Sequence, residues 1–274
     1  MAALMGNIES SLLNIGYLET LSYQQTPLHR LDPRVKLLTT LVFIIAVVSF
    51  GKYEITGLIP FIIYPVALVA VGNLPPGYLF KKILLAAPFA FFIGIFNPFL
   101  DRALMVQLGP VGISGGWVSF ASIMIRFTLT VSAALILIAG TGFNAVCLAL
   151  DKMGTPRSFV IQLLFLYRYI FVLTDEALRL VRARALRSFQ GRGMGFKVFS
   201  YMIGQLLLRT LDRAHRIHLA MLSRGFDGKI RLLRPLQIHG RDAVFFLGWS
   251  ALFVLMRWYN IPHLLGNAVA GLIR

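Results

Sequence analysis

The stretch WVSFASIMIRFTLTVSAALILIA, from Trp117 to Ala139, decides the fold class of this chain. Its only charged residue is Arg126, and its length lies within the roughly 17–25 residues with which an α-helix crosses a bilayer. The whole chain is 57% hydrophobic with a mean hydropathy of +0.75, and yet its net charge is +16. These values indicate a membrane protein with one strongly basic side.

Four more apolar stretches accompany Trp117–Ala139. They are Leu37–Phe50, Leu58–Val71, Ile83–Leu100 and Ala243–Met256. Prolines inside the second and third predict kinked helices, which membrane proteins tolerate where neighbouring groups satisfy the freed carbonyls. The sequence therefore predicts an all-α polytopic membrane protein with about five transmembrane helices. The single cysteine, Cys147, excludes an internal disulfide framework.

The distribution of lysine and arginine between the apolar stretches predicts the orientation. Three precede the first stretch, one, two, one and 17 lie in the four connections, and two follow the last stretch. Because cytoplasmic loops carry the excess of these residues, we expect the N-terminus and residues 140–242 in the cytoplasm. With five spans, the C-terminus then lies outside.

The sequence divides into three predicted segments. Residues 1–139 hold the N-terminal segment and the first four spans, 140–242 hold cytoplasmic helices, and 243–274 hold the last span and a tail. In the middle segment, 17 Lys or Arg stand against six Asp or Glu. The hydrophobic residues of segment 140–242 recur too regularly for an ordinary loop.

Two long helices are predicted within 140–242. The first runs from Phe159, after Ser158 as its N-cap, to about Gln190. The second is Lys197–Ser223, ended by Gly225. We expect both helices to be too charged to cross the bilayer and too apolar to stand free in water. They are predicted to lie flat beneath the spans and to give the protein an L shape.

Each of these helices ends in an arginine. Arg187 lies in the motif Ala183–Ser188, and Arg224 lies in the motif Ala220–Phe226. At about 1.5 Å per helical residue the two arginines can stand some 40 Å apart, which suits two equivalent sites on a dimeric soluble partner. The alternative is that each arginine only stabilises its helix end through the helix dipole. The predicted docking residues are Arg187, Arg224, Leu186, Ser188, Ser223 and Gly225.

Six further arginines mark the basic helices as surfaces for a partner or for lipid. They are Arg179, Arg182, Arg184, Arg209, Arg213 and Arg216. The last three fall at i, i+4 and i+7 and form one charged stripe, which fits a protein partner or anionic lipid headgroups. Leu207, Leu211 and Met221 lie on an apolar stripe that we expect to be buried.

Several of these motifs resemble one family of transporter subunits. Asp175-Glu176-Ala177 leading to Ala183–Ser188, and then Ala220–Phe226, resemble the paired Ala-Arg-Gly-type motifs of T components of energy-coupling factor (ECF) transporters. The segment Ser22–Lys36 looks like the start of that family's first span, and Leu206–Ala214 resembles its cobalt and nickel branch, the CbiQ/NikQ type. The first arginine motif departs from the commonest form of the family, because leucine precedes the arginine and serine follows it.

The resemblance implies a transmembrane coupling subunit of an ECF-type importer for cobalt or nickel ions, in the plasma membrane of a prokaryote. It implies that Arg187 and Arg224 insert into two ABC-type ATPase subunits. The other implied partners are a metal-binding membrane subunit that takes the substrate, a small accessory membrane subunit and lipids, with no nucleic acid. The chain contains no G-x-x-x-x-G-K-[ST] motif, so we expect it to be non-catalytic and without cofactor. The alternative is the T component of a vitamin-type ECF importer.

A different class, an intramembrane serine protease, is suggested by Ser114 in a G-x-S-G pattern. Such a nucleophile needs a histidine base, and the later spans offer only His263, at a predicted outer end. The glycines around Ser114 fit a turn before the fourth span better than an active site.

Three polar residues within the predicted helices are also candidates. His215 and His218 have a spacing that can hold a metal, but arginines flank them, so we predict no metal site. Arg126 lies inside a span, where a charge marks a functional residue by default. It is expected to pair with Asp101, to bind a partner or to snorkel.

Overall fold

Helices form most of the chain. The computed structural model describes residues 17, 19–100, 104–108, 111–187, 195–227 and 239–258, with no side-chain detail between 99 and 113. In chain order the elements are α1 (Pro33–Val48), a 3-10 helix (Thr56–Ile62), α2 (Ile63–Gly72), α3 (Pro76–Gly94), α4 (Asn97–Leu100), β1 (Leu104–Leu108), β2 (Val111–Ser114), α5 (Gly115–Thr141), α6 (Phe143–Lys152), α7 (Arg157–Arg187), α8 (Phe196–Ser223) and α9 (Gly240–Trp258). The all-α polytopic class is confirmed. The two strands add one short antiparallel hairpin before α5, where a turn was predicted.

Each of the five predicted apolar stretches is helical. The second stretch begins as the 3-10 helix, which contains Pro60, and continues as α2. The third stretch stops at Gly94 and resumes as α4, in which Pro98 is the second residue. Proline has no N–H to donate and its ring clashes with the preceding turn, which explains why the helical path is interrupted near these positions.

Among the described residues, three helices are long and apolar enough to cross a membrane by length and composition. They are α3, α5 and α7, while Thr56–Gly72 is a shorter apolar helical segment. The inclusion of α7 differs from the prediction that the helices of 140–242 are too charged to span. Its best 18-residue window has a mean hydropathy of 1.4, equal to that of α3, because its charges gather toward its C-terminal end. Composition alone therefore does not keep α7 out of the bilayer.

The chain divides into two compact units. The bundle unit is Leu21–Gly142 with Leu236–Arg274, and the basic unit is Met1–Thr20 with Phe143–Pro235. The bundle unit contains α1 to α5 and α9, and the basic unit contains α6 to α8.

Aromatic rings form the core of the bundle unit. Phe43, Phe61, Tyr64 and Phe253 are each at most 1% exposed and come from α1, the 3-10 helix, α2 and α9. The Phe43 and Tyr64 rings stack with centroids 4.5 Å apart, and Phe253 lies 5.3 Å from Phe43. Aromatic pairs at these distances add about 0.5–1.5 kcal/mol each beyond the burial of their area.

Polar contacts at the helix ends fix the direction of the helices in the bundle unit. Lys36, in the first turn of α1, donates to the carbonyl of Gly140 near the end of α5 at 2.8 Å. At the opposite end of α1, Arg257 at the end of α9 donates to the carbonyl of Ser49 at 3.2 Å. Hence α1 and α9 run in the same direction, and α5 runs against them.

Candidate functional site: the arginine-ended helices

Helix α7 starts slightly earlier than the sequence predicts. The carbonyl of Pro156 accepts the N–H groups of Phe159 and Val160 at 3.0 and 3.3 Å, so the cap position belongs to Pro156. The prediction of Ser158 as the N-cap is therefore wrong. Proline suits the cap position, because the N–H that it lacks would have no helical partner there.

The other end of α7 presents Arg187. This arginine is the last residue of the helix and is exposed, and Leu186 beside it is 90% exposed. Ser188 and the predicted end near Gln190 lie outside the described residues. The tip of α7 therefore offers a cation and an apolar side chain together.

Arg224 occupies a well-defined cap at the end of α8. The N–H of Phe226 donates to the carbonyl of Met221 at 3.1 Å, and the N–H of Gly225 donates to that of Leu222 at 3.0 Å. These two bonds are the Schellman motif, with Gly225 at a φ of 77° in the left-handed region that glycine enters freely. The predicted end of the helix at Gly225 is confirmed. The motif holds the backbone of Arg224 at the helix end while its side chain stays exposed.

An ion pair joins the two helices. Arg209 Nη1 of α8 lies 2.7 Å from Glu176 Oε1 of α7. Around this pair a cavity of about 540 Å³ opens between the helices. Tyr169 and Leu173 of α7 line one side, and Arg213 and Arg216 line the other with Arg209. The charged stripe of α8 thus borders the cleft toward α7.

The apolar stripe of α8 is exposed. Leu207 and Leu211 are 57% and 58% exposed, and Met221 is half-buried, so the prediction that they are buried is wrong. None of the described residues of α8 is buried. The stripe is apolar because of the spacing of its leucines, but burial needs a second surface. The half-buried side of α8 includes Met202, Leu206, Thr210, Ile217 and Met221, and Leu207 and Leu211 lie beside it. An apolar stripe that is exposed in the isolated chain is typical of a face that a partner or lipid covers.

The remaining predicted arginines lie on the C-terminal half of α7. Arg179 and Arg182 are exposed, and Arg184 is half-buried, with its Nε buried and without a hydrogen-bond partner. Together with Arg187 they make this end of α7 strongly basic. Cations near a helix C-terminus also interact favourably with the helix dipole.

Comparison with known proteins places this chain in a family. The profile of the CbiQ family, described as "Cobalt transport protein", matches residues 24–234. The chain belongs to the CbiQ family. It is 27% identical to the energy-coupling factor transporter transmembrane protein EcfT of Heliobacterium modesticaldum, over 84% of this chain and 92% of that one. It is 28% identical to the cobalt transport protein CbiQ of Rhodobacter capsulatus, over 47% of this chain and 55% of that one.

A longer relative carries the same region within a larger protein. The chain is 27% identical to a putative ABC transporter ATP-binding protein of Bifidobacterium longum. The match covers 80% of this chain and 30% of that protein. The CbiQ-family chain thus matches a minor part of a polypeptide that is named for ATP binding.

A buried polar cluster in this CbiQ-family chain was not predicted. Asp32, Lys36 and Asp242 are at most 5% exposed. Asp242 accepts the backbone N–H groups of Asp32 at 3.0 Å and of His239 at 2.7 Å. Both carboxylates attract the Lys36 ammonium. Asp242, three residues after the cap His239, has the position of the acid in a capping box, which is the one signal that could have found it.

Arg126 makes a contact different from those predicted. Its guanidinium Nη2 donates to the backbone carbonyl of Gly51, in the connection after α1, and Glu54 of the same connection attracts its charge. Asp101, the pairing partner expected from the sequence, lies outside the described residues. Arg126 therefore fastens α5 to the connection between α1 and the 3-10 helix.

The other candidates are Ser114, which lies outside the arginine-ended helices, and two histidines of α8. Ser114 ends β2 and is the N-cap residue of α5, and the base proposed for it, His263, lies outside the described residues. His215 and His218 are exposed on α8. The placement of these residues gives no support to a serine protease or to a metal site at the two histidines.

Proposed function

We propose that this CbiQ-family chain is the transmembrane coupling subunit of an ECF-type importer, with Arg187 and Arg224 each docking one ABC-type ATPase subunit. The observation that carries the proposal is that two exposed arginines end two helices that an ion pair holds together. A push on either arginine is thereby transmitted to both helices. Rigid helices moved at their ends by closure of a partner are a known way to transmit conformational change.

The spacing of the two arginines fits two docking sites. Glu176 and Arg209 mark where α7 and α8 meet, and they precede the terminal arginines by 11 and 15 residues. At about 1.5 Å per residue, Arg187 and Arg224 lie roughly 16 and 22 Å beyond the meeting point. They are then at most about 40 Å apart, an upper limit that is compatible with the separation of some 40 Å expected from the sequence.

ATP hydrolysis is assigned to partner subunits. This chain has no phosphate-binding P-loop motif, and the relative from Bifidobacterium longum is named as an ATP-binding protein while only 30% of it matches this chain. An ATPase supplied as a separate subunit agrees with both observations. The chain itself is proposed to be non-catalytic.

The exposed apolar stripe of α8 supports a second contact. We assign it to the substrate-binding membrane subunit, because a stripe that contains Leu207 and Leu211 needs an apolar partner. The substrate is proposed to be cobalt or nickel ions, in line with the name of the family. The alternative is a vitamin-type ECF importer, because the chain is also similar to relatives that are named as ECF transporter proteins without mention of a metal.

The proposed orientation places the N-terminus in the cytoplasm. The starts of α1 and α9 and the end of α5 lie at one end of the bundle unit, where Arg30, Arg34, Lys36 and Arg241 are also found. The positive-inside rule assigns this basic end to the cytoplasmic side. Loss of one basic residue would not reverse it, since several contribute.

The deciding experiment measures ATPase co-purification and metal uptake for arginine variants of the full complex. Arg187→Ala or Arg224→Ala is expected to weaken ATPase docking about tenfold or more, since a charge-assisted hydrogen bond contributes about 1.5–3 kcal/mol. Arg→Lys should rescue poorly, because an ammonium lacks the planar fork of a guanidinium. The matched control is Arg213→Ala, which removes an arginine of α8 away from the tip.

Two outcomes oppose the proposal. If Arg213→Ala reduces docking as much as Arg224→Ala, and lysine replaces arginine without loss, then the helices bind anionic surfaces generally. If the double alanine variant keeps its ATPases and still transports, the coupling role is wrong.

A further inference from the structure

A wide groove opens at the basic end of the bundle unit. It has a volume of about 1010 Å³ and lies between the segment before α1, the end of α2 and the start of α9. Arg30, His239 and Arg241 line its polar rim, and Leu68, Val71, Val244, Phe245 and Trp249 are among the apolar residues that line the rest. The proposed ATPase docking uses none of these residues.

The rim of the groove is cationic. Arg30 and Arg241 are exposed, and neither forms an ion pair within the part of the chain that the structure describes. The acidic residue of the lining, Asp242, is 2% exposed, and its two carboxylate oxygens accept the N–H groups of Asp32 and His239. The accessible part of the rim therefore offers two guanidinium groups to a ligand.

The body of the groove is apolar and faces outward. Val71 and Val244 are 50% and 73% exposed, although they lie on helices of the bundle. From Gly240 at the rim to Trp249 the groove follows α9 for roughly 13 Å, which is close to half of the ~30 Å hydrocarbon core of a bilayer. A ligand that fits needs an anionic group at one end and a long apolar chain behind it.

We propose that this groove binds one anionic phospholipid, with the phosphate at Arg30 and Arg241 and an acyl chain along Val71, Val244 and Trp249. Arginine matches phosphate oxygens with paired N–H donors. Each basic residue near an anionic membrane surface contributes about 1 kcal/mol, which is about fivefold in affinity. The charge of the rim, next to an apolar wall on membrane helices, selects a lipid over a free anion or a protein segment.

Trp249 provides a probe at the apolar end of the groove. Trp117 and Trp258 are 60% and 84% exposed, so both can be changed to phenylalanine, which leaves Trp249 as the one tryptophan of the chain. The full chain is placed in nanodiscs, and its fluorescence is quenched by phosphatidylglycerol or phosphatidylcholine with the same brominated acyl chains. We expect phosphatidylglycerol to quench Trp249 at a mole fraction at least fivefold lower.

Variants of the two arginines test whether the preference for phosphatidylglycerol arises at the rim. Arg30→Gln and Arg241→Gln should each reduce this preference about fivefold. The matched control is Lys81→Gln, which removes an exposed cation of α3 that does not line the groove. Should a variant fail to fold, the comparison of the two lipids on the unaltered groove still decides the question.

Three results overturn the proposal. Equal quenching by the two lipids shows that the groove does not select the anionic headgroup. Displacement of phosphatidylglycerol by millimolar inorganic phosphate shows a site for a free anion. Absence of quenching by either lipid shows that something other than lipid covers Trp249.

Discussion

The carboxylate of Asp242 accepts the backbone N–H of Asp32 at 3.0 Å, although 210 residues separate them in the chain. The same carboxylate accepts the N–H of His239 at 2.7 Å, so one side chain binds the backbone N–H groups of the residues that precede α1 and α9. Asp32 in turn caps α1 by accepting the N–H of Arg34 at 2.9 Å. The first and last helices of the bundle unit therefore start from one shared polar contact.

Substitution of Asp242 is expected to destabilise the bundle unit. Asp242→Asn leaves one oxygen that accepts, but its NH₂ group then meets the second N–H donor, and buried Lys36 loses an opposite charge. A hydrogen bond to a charged group contributes about 1.5–3 kcal/mol, so we expect a loss of about 2–4 kcal/mol. The measurement is thermal unfolding of the purified chain in detergent. Asp175→Asn, an exposed carboxylate of α7, is the control and should leave the midpoint unchanged.

Gly94 is expected to tolerate no larger residue. A Cβ at this position would lie 2.9 Å from Cδ2 of Phe120, where α3 packs on α5. Gly94→Ala should therefore cost about 1–3 kcal/mol through overpacking, although alanine favours a helix over glycine by about 1 kcal/mol. Gly248→Ala of α9, whose Cβ would meet nothing within 4 Å, should be neutral or stabilising. Recovery of stability on adding Phe120→Ala would confirm that the ring is the obstacle; equal midpoints for both glycine variants would refute it.

The stability of the bundle unit is expected to decrease in mild acid because of His29. Burial, and then the charge of Lys36, lowers the pKa of His29 below its ordinary value of 6.5. The unfolded chain therefore binds a proton at a pH where the folded chain does not, so stability is present above about pH 6.5 and is lost as the pH falls toward the lowered pKa. His29→Asn should reduce the difference between unfolding midpoints at pH 7.5 and 5.5. His218→Asn, an exposed histidine of α8, should preserve the difference, and an identical effect of both changes would contradict the assignment.

The topology can be tested with single introduced cysteines while the natural Cys147 is kept. Burial raises the pKa of the Cys147 thiol to about 11, so this residue should not react with an impermeant maleimide at pH 7.5. Leu104→Cys should be labelled from outside and Ile230→Cys should be protected. Protection of both to the same degree would contradict the proposed orientation.

Two further positions decide whether α7 crosses the membrane. Thr155 precedes this helix and Ser188 follows it. If α7 lies along the cytoplasmic face, cysteines at both positions are protected in intact cells and react after lysis. If only one of them reacts in intact cells, α7 is a span.

The sequence determined the elements of this fold well. Long apolar runs such as Trp117–Ala139 are helical because a backbone in lipid must satisfy its hydrogen bonds within the segment. The end of α8 at Gly225 was equally predictable, since glycine enters the left-handed conformation without strain. The cobalt-type family also followed from short motifs, and the match over residues 24–234 confirms it.

Only the tertiary structure decided which polar groups meet. Asp32 and Asp242, Lys36 and Gly140, and Glu176 and Arg209 are joined across 210, 104 and 33 residues, and no local periodicity encodes such contacts. The exposed Leu207 and Leu211 show the reverse case. Their spacing makes one face of α8 apolar, but whether a face is buried depends on what packs against it, and that is a property of the folded chain and its partners.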